Sequence, residues 1–133
     1  MKPRMCKVKH DPPKQYSDCI TACVASLVDD DDVPHAYTGD NPDKAWDAIQ
    51  KHLQKSNMTL LFSAFEEHPG EFMKFNNPDT YYILLHQNSD EEDHAIICKN
   101  DKVDHNPAWC NKPIKGPHSV GVWVVIMIGV HIT

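Results

Sequence analysis

One stretch decides the fold: Gln15-Tyr16-Ser17-Asp18-Cys19-Ile20-Thr21-Ala22-Cys23-Val24-Ala25-Ser26-Leu27. Four apolar side chains in it recur at the i, i+3, i+4, i+7 spacing of one buried helix face; they are Ile20, Cys23, Val24 and Leu27. Ser17 and Asp18 belong to the residue types that cap a helix start by accepting backbone hydrogen bonds. Cys19 is therefore expected in the first turn, where exposed N–H groups and the helix dipole favour a thiolate and lower the thiol pKa. A cysteine in that position is a candidate nucleophile.

The composition indicates one compact domain over residues 1–133, with 41% hydrophobic residues to form its core. The formal net charge is -6 and no basic cluster is present, which argues against a nucleic-acid partner. Two acidic runs, residues 29–32 and 90–93, are predicted to be solvated loops. The longest apolar stretch, residues 120–132, is shorter than the roughly 20 residues that span a membrane, so no membrane partner is predicted.

The chain has five cysteines, an odd number, without a CxxC pair and without a secretory leader. This usage predicts reduced thiols in a soluble, cytoplasmic protein. A zinc site is the competing interpretation, and its ligands would be Cys98, His105, Cys110 and His118. These residues lack the paired short spacing of structural zinc sites, so no metal and no cofactor are predicted.

The pattern along the chain predicts an α+β fold in which helices come first and an antiparallel meander follows. Residues 1–14 are polar and contain two prolines, which predicts an extended N-terminal arm. Helices are predicted over residues 18–28 and 42–55. Strands are predicted over 59–62, 80–86, 94–98, 103–105 and 122–128, with a turn at Pro69-Gly70 and a loop containing Pro113, Gly116 and Pro117. The helices are expected to pack on or beside one sheet.

A nucleophilic cysteine needs an imidazole base and a group that orients the imidazole. His94 opens a predicted strand, and the turn at residues 100–101 would fold the next strand back beside it. That hairpin brings residues 104–106 near His94. The sequence pattern leaves two candidates for the orienting group, Asn106 and Asp104.

Three further residues are candidates around this centre. Gln15 lies four residues before Cys19, where its side-chain amide could join the Cys19 N–H in an oxyanion hole. Trp109 follows the Asn106-Pro107 break and could line the cleft or shield the imidazole. Asp93 lies directly before His94 and could line the cleft or steer a basic substrate.

Several segments together resemble the papain-like cysteine peptidases, and within them the small C39-like branch that includes bacterial and phage proteins. The segments are Gln15, Asp18-Cys19, Ala22-Cys23, Ala25-Ser26-Leu27, Val33-Pro34-His35, Asp93-His94-Ala95 and His105-Asn106-Pro107. The resemblance covers about residues 15–123. It implies a papain-like fold with the nucleophile at the start of the central helix. It also implies that Cys19 is the nucleophile, His94 the base and acid, Gln15 the oxyanion donor and Asn106 the orienting residue.

The function that this resemblance implies is hydrolysis of a peptide, isopeptide or related amide bond in a peptide or protein substrate. The compartment would be the host cytoplasm if the chain is phage-encoded. The alternative is an inactive papain-like binding protein that captures a host protein or a small signalling molecule. The alternative rests on Ile20, which stands where many C39-type enzymes have glycine after the nucleophile, and on the charged loops. A peptidoglycan amidase is a third interpretation, but such enzymes usually act outside the cytoplasm.

Overall fold

The computed structural model describes residues 1–8, 17–35, 42–63, 69–88, 93–108 and 114–127; within these ranges, the side chains of residues 42–43, 62–63, 69, 86–88, 93 and 114–127 are left out of the description. The helices are α1 (Cys19–Val28), α2 (Pro42–Gln54) and α3 (Pro69–Asn76). The strands are β1 (Met58–Ser63), β2 (Tyr81–Asn88), β3 (Asp93–Lys99), β4 (Lys102–His105) and β5 (Ile114–Met127). The predicted α+β class is confirmed. In the described ranges, no helix combines the length and the apolar character needed to cross a membrane.

The strands form one antiparallel sheet in the order β1-β5-β2-β3-β4. The predicted meander is correct for β2, β3 and β4, which follow one another through short turns. It is wrong for β5, which lies between β1 and β2 and pairs Val125 with Leu60 and Trp123 with Ile83. These partners lie far apart in the sequence, so no local pattern could place β5 there.

The helices cover both faces of this sheet. On one face, α1 and α2 pack against β1, β2 and β3 in a core that includes Cys23, Val24, Ile49, Leu53, Leu60, Ile83, Ala95 and Ile97. On the other face, Met73 of α3 packs against Tyr82, Ile96 and Cys98. Residues 95–98 of β3 therefore alternate between the two faces, as side chains along a strand do. Helix α1 lies on the same face as Ala95.

Helix α1 confirms the predicted position of the helix but not the predicted cap. Cys23 and Val24 are fully buried, whereas Ile20 and Leu27 are partly buried at the edge of the core. Asp18 occupies the N-cap position, yet its carboxylate makes no hydrogen bond to the helix. The helix ends at Asp29, which adopts the left-handed conformation with φ 55° and donates its N–H to the Ala25 carbonyl.

Two predictions of loop structure are wrong. The Pro69-Gly70 pair begins α3 instead of forming a turn, because a proline at the first helical position loses no hydrogen bond that the helix needs. Strand β5 begins at Ile114 and includes Gly116 and Pro117, which were predicted to lie in a loop. The pairing of β5 with β2 shifts register in this region, and Pro117 falls between the paired positions Ile114 and Ser119. An irregular ladder accommodates a residue without an N–H.

The described part of the N-terminal arm, residues 1–8, forms no helix or strand and packs along α1. The Arg4 guanidinium pairs with two carboxylates after α1, at 2.8 Å from Asp29 Oδ1 and 2.6 Å from Asp31 Oδ1. His52 of α2 pairs with Asp30 at 2.7 Å. Three carboxylates of the first acidic run are therefore paired, and the exposure of Asp29, Asp31 and Asp32 agrees with the predicted solvated loop. Most of the second run, residues 90–93, lies outside the described residues.

Candidate active site

His94 and Asn106 are hydrogen-bonded across the β3–β4 hairpin. His94 Nε2 lies 2.7 Å from Asn106 Oδ1, and His94 is buried with 9% of its surface exposed. The same Asn106 oxygen accepts the Ala108 N–H at 3.0 Å, which fixes the amide with its oxygen toward the ring. Nε2 must therefore carry the proton in the neutral imidazole, and Nδ1 is the nitrogen that accepts one.

Cys19 begins α1 and lies against the residue that follows His94. The Ala95 and Ile20 backbone N–H groups and the Ser17 hydroxyl act on its thiol and lower the thiol pKa, although burial raises that pKa by more. The Ser17 hydroxyl donates to Cys6 Sγ at 3.6 Å. Strand β4 ends at His105, which pairs with Ile97, so Ala95 lies beyond the part of β3 that β4 covers. The end of β4 thus leaves room for the start of α1 beside β3. The fold brings Cys19 to the same end of the hairpin as His94 and Asn106.

The environment of the Cys19 thiol differs from the predicted one. Burial raises the pKa of Cys19, and only 8% of the residue is exposed. The Ala95 and Ile20 N–H groups and the Ser17 hydroxyl lower the pKa, but by less than burial raises it. The prediction of a lowered thiol pKa from the helix start alone is therefore wrong, because it took no account of burial.

Of the other predicted site residues, the structure describes the side chain of Asp104 and not those of Gln15, Trp109 and Asp93. Asp104, the rival orienting residue, is exposed on β4, whereas the side chain in contact with His94 is that of Asn106. Gln15 and Trp109 lie outside the described residues. The backbone of Asp93 begins β3, and its side chain is not among those described. The assignments of Gln15, Trp109 and Asp93 remain predictions.

Asp18 is a residue whose role the sequence did not indicate. It is buried, and its Oδ1 accepts the Lys7 N–H at 3.0 Å and the Val8 N–H at 3.1 Å. The arm also reaches the segment that follows β4, since the Cys6 N–H donates to the Pro107 carbonyl at 2.8 Å. Asp18 was predicted only as a helix cap, and the distant arm residues that it binds gave no local signal.

The described cysteines lie on both faces of the sheet. Cys6, Cys19, Cys23 and Cys98 are free and buried. Cys98 lies in the α3-side cluster, whereas His105 Nε2 is 2.7 Å from the Arg4 carbonyl oxygen on the α1 side. These two members of the alternative zinc set therefore face different partners, and the described residues hold no cluster of three or more metal-ligand side chains. Cys110 and the His118 side chain lie outside the description.

Comparisons with protein-family models, with curated proteins and with solved structures gave no match to this chain. The class that the structure itself defines is an α+β domain with helices on both faces of an antiparallel sheet. The resemblance to papain-like peptidases therefore rests on the residues of the candidate site alone.

Proposed function

We propose that this protein is a papain-like thiol hydrolase that cleaves a peptide, isopeptide or related amide bond. The observation that carries the proposal is the 2.7 Å contact between His94 Nε2 and Asn106 Oδ1, at the end of the hairpin where the Cys19 sulfur meets the Ala95 N–H. A nucleophile, a base and a group orienting that base are what covalent amide hydrolysis requires.

Acylation begins with transfer of the Cys19 proton to His94 Nδ1. The thiolate attacks the substrate carbonyl carbon and forms the carbon–sulfur bond, while the carbonyl electron pair moves to oxygen. The Cys19 N–H and, as the resemblance implies, the Gln15 amide would bind this oxyanion. When the oxyanion collapses, the carbon–nitrogen bond breaks and the leaving amine takes the proton from His94 Nδ1. A thioester on Cys19 remains.

Deacylation repeats the sequence with water in place of the thiol. His94 Nδ1 accepts a proton from water as the water oxygen attacks the thioester carbon. The carbon–sulfur bond then breaks, the sulfur recovers the proton, and the carboxylic acid product leaves. Throughout, Asn106 Oδ1 accepts the Nε2–H and holds the ring in one tautomer.

Burial of Cys19 is compatible with this chemistry if the proton stays within the site. A lone thiolate at an 8% exposed position is penalised by desolvation. A thiolate paired with an imidazolium has no net charge, so burial costs the pair less than it costs either ion alone. The pair, rather than the helix start by itself, would make Cys19 reactive near neutral pH.

The test is the pH profile of alkylation by iodoacetamide, with each cysteine followed by peptide mass spectrometry. We expect Cys19 to react faster than the other thiols at pH 6, with a midpoint well below about 8.5, the value of a free thiol. His94→Ala should move that midpoint up. Uniformly slow alkylation of all the thiols in the folded wild type would refute the proposal.

A matched pair of cysteine variants separates the nucleophile from its buried neighbour. Cys23 lies one turn after Cys19 on the same helix and is fully buried. Cys19→Ala should abolish hydrolysis of every substrate found in a panel of fluorogenic peptide and isopeptide amides while leaving the fold intact. Cys23→Ala should retain turnover. Full activity in Cys19→Ala would end the proposal.

The second candidate function is binding without catalysis, and the burial of Cys19 is the observation that favours it. A thiol with 8% exposure and a raised pKa is what an inactive scaffold would contain. In that case a partner would bind Cys19→Ala and wild type equally. The alkylation profile of wild type decides between the two functions without a known substrate, since binding requires no reactive thiol.

A further inference from the structure

A short part of the arm touches both halves of the candidate site. We call residues 4–8 the clasp. At one side, the Lys7 and Val8 N–H groups donate to the carboxylate of Asp18, the residue directly before Cys19. At the other side, the Cys6 N–H donates to the carbonyl of Pro107, the residue directly after Asn106. Three consecutive residues of the clasp, Cys6, Lys7 and Val8, therefore join the supports of the nucleophile and of the orienting residue.

A second contact strengthens the link to β4. His105 Nε2 lies 2.7 Å from the Arg4 carbonyl oxygen, so the ring donates to the clasp from the residue before Asn106. The outer end of the clasp is fixed to α1, where the Arg4 N–H donates to Ser26 Oγ at 2.8 Å. The clasp is thus held on α1 and on β4 by separate hydrogen bonds.

The clasp also determines where the Asp18 carboxylate points. An aspartate at the N-cap position usually accepts N–H groups of the first helical turn. Here Asp18 makes no such bond, because its carboxylate is bound to the Lys7 and Val8 N–H groups instead. The Asp18 carboxylate therefore does not bind the Ile20 N–H, a group that lowers the pKa of Cys19 by less than burial raises it.

We propose that the clasp is a positioning element of the site and that Asp18 is its positioning residue, which holds the start of α1 at the right separation from His94 and Asn106. The inference rests on the proposed thiol hydrolase function. Asp18 acts through the backbone of the clasp and touches no reacting atom. Its role depends on accepting two N–H groups, which an amide oxygen can do as well as a carboxylate.

Positioning and simple electrostatics predict opposite results for one variant. The negative charge of Asp18 raises the pKa of Cys19, so removal of the charge alone would lower the alkylation midpoint in Asp18→Ala and in Asp18→Asn alike. If the clasp positions the site, Asp18→Ala releases it, the thiolate–imidazolium pair is lost and the midpoint rises. Asp18→Asn keeps Oδ1 as an acceptor, so its midpoint stays at or below that of wild type.

The experiment is the iodoacetamide pH profile of Cys19 in full-length wild type, Asp18→Ala and Asp18→Asn. We expect a midpoint at least about one unit higher in Asp18→Ala, which lowers the alkylation rate at pH 6 about tenfold because the thiolate fraction falls tenfold per unit. A variant that only exposed Cys19 to more iodoacetamide would react faster at every pH, and its midpoint would stay where it is in wild type. Asp47→Asn, a change of the same chemistry at an exposed aspartate that pairs with Lys51 on α2 and does not contact the clasp, should match wild type.

Unfolding is detected within the same samples. Cys98 is buried on the opposite face of the sheet, so rapid alkylation of Cys98 at neutral pH reports a chain that has lost its fold. If Asp18→Ala unfolds, His105→Leu tests the positioning role of the clasp instead. This variant removes the hydrogen bond from the His105 ring to the Arg4 carbonyl. The midpoint should rise in His105→Leu and return in His105→Gln, whose amide can donate to that carbonyl.

The outcomes separate the two hypotheses. A wild type without a low midpoint refutes the proposed hydrolase, whatever the variants show. A low midpoint in wild type that persists in folded Asp18→Ala, or in His105→Leu, overturns the positioning role and leaves the hydrolase standing. A rise in Asp18→Asn equal to that in Asp18→Ala would also overturn it, because an oxygen that still accepts the two clasp N–H groups would then have failed to preserve the site.

Discussion

Replacement of Asn106 by alanine tests the hydrogen bond on which the candidate site depends. The variant removes the oxygen that lies 2.7 Å from His94 Nε2 and leaves the Nε2–H without that acceptor. A hydrogen bond of this kind to a charged group contributes about 1.5–3 kcal/mol. The bond is strongest when the ring is an imidazolium, so its loss destabilises the thiolate–imidazolium pair by about that amount.

This free energy converts directly into a shift of the Cys19 alkylation midpoint. One pH unit corresponds to about 1.4 kcal/mol, so Asn106→Ala should raise the midpoint by about one to two units. The rate of iodoacetamide alkylation at pH 6 should fall by about 10- to 100-fold, with the plateau at high pH unchanged. The assay is the site-resolved pH profile, with urea unfolding of the same variant to confirm the native fold.

Two matched variants sharpen the Asn106 test. Asn106→Asp keeps an oxygen acceptor and adds a negative charge that stabilises the imidazolium, so its midpoint should stay at or below that of wild type. Asp104→Ala removes the rival carboxylate, which is exposed, and should match wild type. An unchanged midpoint in Asn106→Ala, or an equal rise in Asp104→Ala, would refute the assignment of Asn106 as the orienting residue.

Three further predictions concern stability. Hydrogen bonds from Arg4 and His52 lower the carboxyl pKa values of residues 29–31, so their contribution to stability is complete above about pH 4, the usual aspartate pKa, and is lost as pH falls through the lowered values. Urea unfolding from pH 2 to 7 should show this acid loss, and a flat profile would contradict it. The Gln50 side chain donates to the Leu60 carbonyl and accepts the Leu60 N–H at 2.9 Å. Gln50→Ala should therefore lower the free energy of unfolding in urea by about 1–3 kcal/mol. A decrease of less than about 0.5 kcal/mol would show that water replaces the amide. Ser26→Ala leaves the Arg4 N–H without its 2.8 Å acceptor and should lower the unfolding free energy by about 1–2 kcal/mol, with unchanged stability as the contrary result.

The parts of the fold that were predicted correctly have local signals. Helices α1 and α2 follow from their apolar spacing, and β2, β3 and β4 follow from branched and aromatic runs joined by polar turns. Helix α3 was missed because a Pro-Gly pair is typical of turns, and proline also begins helices. The place of β5 in the sheet depends on pairing with strands up to about seventy residues away, which no local window contains.

The candidate site was likewise predicted correctly only where its contacts are local in the sequence. The hairpin that joins His94 to Asn106 is local, and the structure contains that contact. The choice between Asn106 and Asp104 depended on the register of β4, which the sequence left open. The burial of Cys19 and the bonds from Asp18 to the arm depend on tertiary packing, so the predicted thiol pKa and the predicted cap were both wrong.

The contact between His105 and the Arg4 carbonyl joins residues 101 positions apart in the chain. During synthesis on the ribosome, His105 and Pro107 emerge about a hundred residues after the arm. Contacts of such long range form late, because the chain between the two residues must first lose the entropy of closing a large loop. The proposed nucleophile would therefore be synthesised well before its base, and the clasp contacts with His105 and Pro107 would form only after β4 has been made. A hydrolase assembled in this order would become competent only when nearly all of its sheet had been made, and this would protect the nascent chain and its neighbours from premature cleavage.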